Sequence, residues 1–183
     1  MQKNVTQAGA PFVLVFLIAG AVTWLGHEYA HYLTAEALGY DAWMKINSVG
    51  LQSGSFASEA DANLQSMAGP AFTYLQAFIA TILILLTRSV LLYPFVFLAL
   101  FMRAVAFAIS FGMPNDEARV SLSLGLPFWV LPAIACAILL GMVVMASRRL
   151  GLGWKVQGLS YLLASAVTAA FVFGEPAVGR LIG

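Results

Sequence analysis

Two histidines four residues apart, with a glutamate directly after the first, form the most chemically informative pattern in this sequence: His27-Glu28-Tyr29-Ala30-His31. Residues four apart lie on one face of an α-helix, so both imidazoles can reach a single metal ion. A zinc ion held by two histidines and a carboxylate keeps a position for water and polarises a carbonyl group, with the glutamate as general base. The pattern predicts that His27 and His31 are metal ligands, that Glu28 is the catalytic base, and that Zn²⁺ is the cofactor.

Chance occurrence of this pattern is the competing interpretation. The chain has only two histidines, and random placement would give this arrangement in roughly a few cases in ten thousand. The pattern also lies inside an apolar run, where ionisable side chains are costly and usually mark function. Haem binding is excluded, because two histidines on one helix face cannot reach opposite sides of a porphyrin. Metal binding is therefore favoured.

The composition predicts that this pattern lies in a membrane. Hydrophobic residues make up 61% of the 183 residues and charged residues 9%, whereas soluble domains are about one quarter charged. A membrane-crossing helix needs about 20 apolar residues. Division at charges and at Gly/Pro clusters gives five candidate spans, about Pro11 to Leu38, Leu64 to Leu86, Val90 to Phe111, Pro127 to Ala146 and Val156 to Phe173. We predict an all-α integral membrane protein with about five transmembrane helices in one transmembrane domain, residues 1–183.

The connection after the first span, residues 39–63, is the only long one. From Trp43 to Gln52 it partly alternates apolar with polar residues, and Gly54 follows. This pattern predicts a short strand or β-hairpin, with an irregular loop as the alternative.

Charge distribution bears on partners and orientation. The net charge of +1 forms no basic run, so nucleic acid is not an expected partner. Lysine and arginine are retained on the cytoplasmic side of membrane proteins. With five spans, one side holds Lys3, Arg88, Arg148, Arg149 and Lys155, and the other holds Lys45, Arg119 and Arg180. We therefore expect a multi-pass protein of the lipid bilayer, in a bacterial cytoplasmic membrane, with a cytoplasmic N-terminus.

The first span resembles a known family. Residues 26–39 are similar to the first core helix of site-2 protease-like membrane metalloproteases, in which a glycine and the HExxH motif precede an apolar turn and a leucine-glycine exit. Ala68-Gly69-Pro70 resembles the alanine-glycine-proline element that precedes a core helix in that family. The family often has an asparagine shortly afterwards, where this chain has Thr73 or Gln76.

The family's third zinc ligand is an aspartate within an asparagine-proline-aspartate-glycine pattern. Here Pro114-Asn115-Asp116-Glu117 has similar residue types in another order and without the glycine. The resemblance predicts a metalloprotease-like core at about residues 11–125, with additional helices at about residues 127–173. It implies a zinc endopeptidase that hydrolyses a peptide bond in a membrane-embedded or membrane-adjacent protein.

Position along the spans also favours Asp116 as the third ligand. His27 lies about 24 Å along the first helix, near the end that enters the loop. Two further crossings return residues 114–117 to that same face of the membrane. Asp61, Glu59 and Glu117 remain alternatives at this stage.

Three further residues are candidates for substrate binding. Arg103 lies inside the third span, where its charge needs a carboxylate partner, so a structural ion pair is the alternative to substrate contact. If the segment after Gly39 is a strand, its edge around Asn47 and Val49 could hold an extended substrate by main-chain pairing.

Two other functions compete with proteolysis. A catalytically silent relative, acting as an accessory or structural subunit with partner subunits in a membrane complex, fits the small size and the irregular third-ligand pattern. A metal transporter is disfavoured, because a permeation path needs polar groups on several helices and the later spans have few.

Overall fold

The computed structural model describes the backbone of residues 9–182 and the side chains of residues 9–174, so the side chains of Lys3 and Arg180 lie outside it. A turn of 3₁₀-helix, Val90–Leu92, leads into the third helix. In chain order the elements are α1 Ala10–Ala37, β1 Ala42–Lys45, β2 Ser48–Leu51, α2 Glu59–Thr87, α3 Tyr93–Ile109, α4 Asp116–Ser123, α5 Val130–Leu150 and α6 Trp154–Ile182.

Five of the helices in the described chain are long and apolar enough to cross a membrane, which confirms the predicted fold class. The exception is α4, whose 8 residues reach only about 12 Å at 1.5 Å per residue. Large apolar side chains on the spans point outward, including Leu14, Leu75 and Leu86. A soluble monomer rarely exposes so much contiguous apolar surface, whereas hydrocarbon solvates it, so this is a multi-pass membrane protein.

Helix bounds differ from the predicted spans where polar residues continue a helix. α2 begins at Glu59, before the predicted start at Leu64. The Ser58 hydroxyl caps it by accepting the backbone N–H of Asp61 at 3.1 Å. α5 likewise continues to Leu150, past the predicted end at Ala146. Its last turn contains Arg148 and Arg149, so the apolar run used for the prediction ended before the helix did.

The predicted β-hairpin is confirmed. β1 and β2 pair antiparallel, with Met44 opposite Val49 and Lys45 opposite Ser48. Before it, the chain leaves α1 through Gly39, whose φ of +87° favours glycine because it has no Cβ. The N–H groups of Gly39 and Tyr40 bond to the last carbonyls of the helix at 2.9 and 3.1 Å, a Schellman end that turns the chain back towards the bundle.

The two halves of α1 contact different surroundings. An apolar core joins its first half to α2, α3, α5 and α6, and it includes Phe12, Phe16, Ile84, Tyr93, Val96, Val143 and Val167. From Thr23 onwards the polar residues Thr23, His27, Glu28 and His31 are buried. His27 and His31 lie about 15 and 9 Å before the end of α1 at Ala37, at 1.5 Å per residue, so the polar half lies at the hairpin end of the bundle.

Candidate metal centre

His27, His31 and Asp116 converge on one buried point. Nε2 of His27 lies 3.1 Å from Nε2 of His31 and 3.2 Å from Oδ2 of Asp116. Nε2 of His31 lies 3.7 Å from Oδ1 of Asp116. All three side chains are buried, so helices α1 and α4 bring together the three residues that the sequence favoured as ligands.

The hydrogen bonds at Nδ1 of each histidine determine which ring nitrogen is available to a metal ion. Nδ1 of His31 lies 2.6 Å from the backbone carbonyl of Gln65, which can only accept, so this Nδ1 carries the hydrogen. Nδ1 of His27 lies 3.2 Å from the hydroxyl oxygen of Thr73, which donates its own hydrogen to the carbonyl of Gly69 at 3.1 Å. Each Nε2 therefore directs a lone pair at the other ring and at Asp116.

Gly69 allows α2 to approach both imidazoles. A Cβ at this position would lie 2.6 Å from Cε1 of His27 and still closer to Nε2 of His31, where no real Cβ contact occurs. Pro70 follows it inside the helix and is buried. Gly69 of the Ala68-Gly69-Pro70 element thus has a physical role in this chain. It lets the helix that carries Gln65 and Thr73 approach the histidine rings.

Asp116 begins α4 and is held as an anion. Burial alone would raise the pKa of its carboxyl, but the positive charge of Arg103 beside it holds that pKa well below its usual range. The first turn of a helix also favours a negative charge. An anionic oxygen donor therefore faces the two imidazoles.

The alternative third ligands lie elsewhere. Asp61 accepts the Tyr40 hydroxyl at 2.6 Å, Glu59 is exposed, and Glu117 accepts the Tyr74 hydroxyl at 2.5 Å. Among the described residues, the one group of histidine, cysteine or acidic side chains close enough to share an ion is His27, His31 and Asp116.

Arg103 provides the positive charge beside this cluster. Its Nη1 lies 3.0 Å from Oδ2 of Asp116 and 3.2 Å from Oε2 of Glu117. Arg119, whose side chain is 53% exposed, donates to Oδ1 of Asp116 at 3.0 Å. The carboxylate partner expected for Arg103 is therefore present, and there are two such partners, Asp116 and Glu117.

A cavity of about 370 Å³ opens onto the cluster. Glu28 lines it beside the histidines, and so do Asn47, Val49 and Arg103. The hairpin is tied to this wall because Nε1 of Trp24 donates to Oδ1 of Asn47 at 2.9 Å. The structure thus brings all three predicted substrate-binding residues to the cavity that holds the predicted base and ligands.

No family model, curated protein or solved structure matches this chain. The likeness to site-2 protease-like enzymes stays a prediction made from the motifs.

The donor set fits a zinc ion. Two imidazole nitrogens and one carboxylate oxygen are a common catalytic zinc set with one position left open. Two atoms bonded to one tetrahedral zinc ion at the usual distances lie about 3.3 Å apart. The two imidazole nitrogens here lie 3.1 Å apart and Oδ2 of Asp116 lies 3.2 Å from Nε2 of His27, while one ligand atom from each of the three residues lies within 4.8 Å of the other two.

Sequence reasoning missed the residues that orient the ligands. Gln65 and Thr73 hold the histidine rings, and Tyr74 with Glu117 holds Arg103. One signal was available: Gln65, Gly69 and Thr73 recur at four-residue spacing, which puts them on one face of α2. Nothing in the sequence showed that this face meets the histidines.

Proposed function

We propose that this chain is a zinc-dependent intramembrane endopeptidase, similar to site-2 proteases, that hydrolyses a peptide bond in a membrane-embedded or membrane-adjacent protein. The observation that carries the proposal is the convergence of two Nε2 lone pairs and a carboxylate on one buried point. Two imidazole nitrogens and a carboxylate oxygen form a donor set that suits a divalent metal ion, and Glu28, the proposed base, lines the cavity beside them.

Each residue then has a distinct role. His27, His31 and Asp116 would hold the zinc ion, which when bound acidifies a water molecule and polarises a carbonyl group. Glu28 takes a proton from the water that adds to the scissile carbonyl carbon, and it passes that proton to the leaving nitrogen as the carbon–nitrogen bond breaks. The products are a carboxylate and an amine.

The open edge of β2 supports an extended substrate. The Gln52 N–H bonds to the Asp41 carbonyl at 2.8 Å. In an antiparallel pair such bonded positions alternate with non-bonded ones, so the N–H and C=O of Val49 point away from β1. Val49 also lines the cavity. An added substrate strand would pair with these groups and present its backbone, not a helix, to the site.

Proline at Val49 tests the strand-addition hypothesis. Val49→Pro removes an outward N–H without removing a β1–β2 bond, so cleavage should fall further than in Val49→Ala, which shortens the side chain but keeps that N–H. Equal cleavage by the two folded variants would contradict it.

A catalytically silent subunit of a membrane complex is the second candidate, and one observation favours it. Both oxygens of Asp116 already bond to arginine, Oδ2 to Arg103 and Oδ1 to Arg119. These cations compensate the carboxylate without any metal.

We propose a cytoplasmic N-terminus in a bacterial cytoplasmic membrane, which puts the metal centre near the opposite face. Arg88, Arg148, Arg149 and Lys155 at the far ends of the spans support this orientation. With Cys136 replaced, a thiol introduced as Ser53→Cys should react with reagents from outside the cytoplasm; reaction from the cytoplasmic side alone would reverse the orientation.

Substitution of the base separates the two candidate functions. Because Glu28 moves protons and does not hold the metal, Glu28→Gln should keep the zinc content of the parent. It should lose about two to four orders of magnitude in cleavage of a candidate membrane substrate. Loss of zinc together with cleavage would contradict the assigned roles, and a zinc-loaded parent that cleaves no membrane substrate would favour the silent subunit.

A further inference from the structure

The three nitrogens of the Arg103 guanidinium have different surroundings. Nη1 makes all of its carboxylate contacts, to Asp116 and Glu117. Nη2 lies 3.5 Å from Nε2 of His27, and Nε, although buried, has no hydrogen-bond partner. Nη1 is thus occupied by carboxylates, whereas among the described residues the edge formed by Nε and Nη2 bonds to no oxygen.

A bound metal ion would also remove the contact between Nη2 of Arg103 and Nε2 of His27. The lone pair that Nη2 approaches on His27 is the one a bound metal takes. Arg103 is 3% exposed, and buried N–H groups left without acceptors are costly. With zinc in place, the Nε and Nη2 donors therefore need an acceptor that the described side chains do not supply.

We propose that the Nε/Nη2 edge of Arg103 binds a carboxylate-type oxygen of the substrate, which is the scissile carbonyl oxygen as it gains negative charge and then the carboxylate of the product. The inference rests on the proposed peptide hydrolysis. Two parallel N–H groups on one guanidinium edge match a planar carboxylate. Arg103 lines the cavity beside Glu28 and the histidines, so the acceptor would lie next to the reacting carbon.

This role differs from that of a structural ion pair. An ion pair with Asp116 and Glu117 uses Nη1 alone, and lysine can replace its charge. Recognition of a planar carboxylate needs two parallel N–H groups on one edge of a guanidinium, which lysine lacks. Arg103→Lys therefore separates the two roles, and Arg119→Lys is a matched control because Arg119 bonds the same aspartate and lines the same cavity.

Binding of a minimal product analogue tests the proposal without turnover. The probes are N-benzoylglycine, which has a free carboxylate, and its uncharged amide, titrated into the zinc-loaded full chain in detergent by calorimetry. The parent should bind the acid more tightly than the amide. That preference should fall about tenfold or more in Arg103→Lys, with unchanged zinc content, and it should be retained in Arg119→Lys.

Other outcomes overturn the proposal. A parent that binds acid and amide equally has no anion site, whatever the variants do. A preference that survives in Arg103→Lys, or that is lost only in Arg119→Lys, assigns the anion elsewhere. Loss of zinc from Arg103→Lys would show that the residue only positions Asp116. If the parent prefers the acid through Arg103 yet cleaves no membrane protein, the anion site stands and the proposed proteolysis fails.

Discussion

Towards its N-terminus α1 buries Phe12, Phe16 and Ala19, and from Thr23 onwards the same helix buries Thr23, His27 and His31. The first group packs by shape: the Phe16 ring lies 5.9 Å from that of Phe12, edge to face. The second is held by directed bonds, with a hydrogen-bond partner on Nδ1 of each histidine. One helix thus anchors the bundle at one end and builds a polar site at the other.

This difference predicts how each half responds to substitution. An apolar contact tolerates change at a cost in stability that depends on how well the neighbours collapse. A ligand cluster depends on particular atoms, so its loss should show in zinc binding while the apolar half keeps the bundle folded.

Asp116→Ala should give the largest effect on zinc. It removes one of three ligands. Substitution of a residue that only hydrogen-bonds to a ligand costs about 10- to 100-fold in metal affinity, so loss of a ligand itself should cost more than about 100-fold. Zinc affinity is measured by competition with a chelator on the inserted, folded variant. Asp61→Ala is the control, because Asp61 bonds to Tyr40 away from the cluster. Retained zinc in Asp116→Ala, with loss in Asp61→Ala or Glu117→Ala, would contradict the ligand assignment.

Thr73→Val should give an intermediate effect. It keeps the shape of the side chain but removes the acceptor for the His27 ring, so zinc affinity should fall about 10- to 100-fold. Thr81→Val is a matched control on the same helix, since Thr81 is also buried and bonds to a backbone carbonyl, that of Ala77 at 2.7 Å. Equal zinc affinities in the two variants would mean that Thr73 does not orient the ligand.

Phe16→Ala should have the smallest effect on zinc. It should lower the free energy of unfolding by roughly 3 kcal/mol. Because Phe16 lies about 16 Å along α1 from His27, zinc affinity should stay within about twofold of the parent. Unfolding in detergent and chelator competition on the same sample measure both quantities. A zinc loss comparable with that of Thr73→Val would show that the two halves of α1 are not independent.

Local sequence patterns were sufficient for the long helices and for two of the three converging residues. Apolar runs of membrane length predict helices whatever their neighbours, and four-residue spacing places His27 and His31 on one face. The hairpin was anticipated from alternation around Trp43 to Gln52, with an irregular loop left open. Asp116 was favoured because two further crossings return the chain to the side of the histidines and because it resembles the family's aspartate in kind.

Contacts between elements could not be predicted in the same way. The short helix α4 was not expected, because Asp116–Ser123 has no long apolar run and its first residue is fixed by tertiary contacts with Arg103 and the histidines. The approach of Thr73 and Gln65 to the rings depends on the rotation of α2 about its axis and on the missing Cβ of Gly69. Those quantities are set by packing across the bundle.

Zinc per chain in the purified parent, compared with His27→Ala, tests whether the cluster of His27, His31 and Asp116 holds a metal ion. The parent should carry about one zinc ion per folded chain and His27→Ala should lose most of it, with both proteins inserted and folded. A parent that binds no zinc when excess metal is supplied, or a His27→Ala variant that binds as much as the parent, would contradict this role of the cluster.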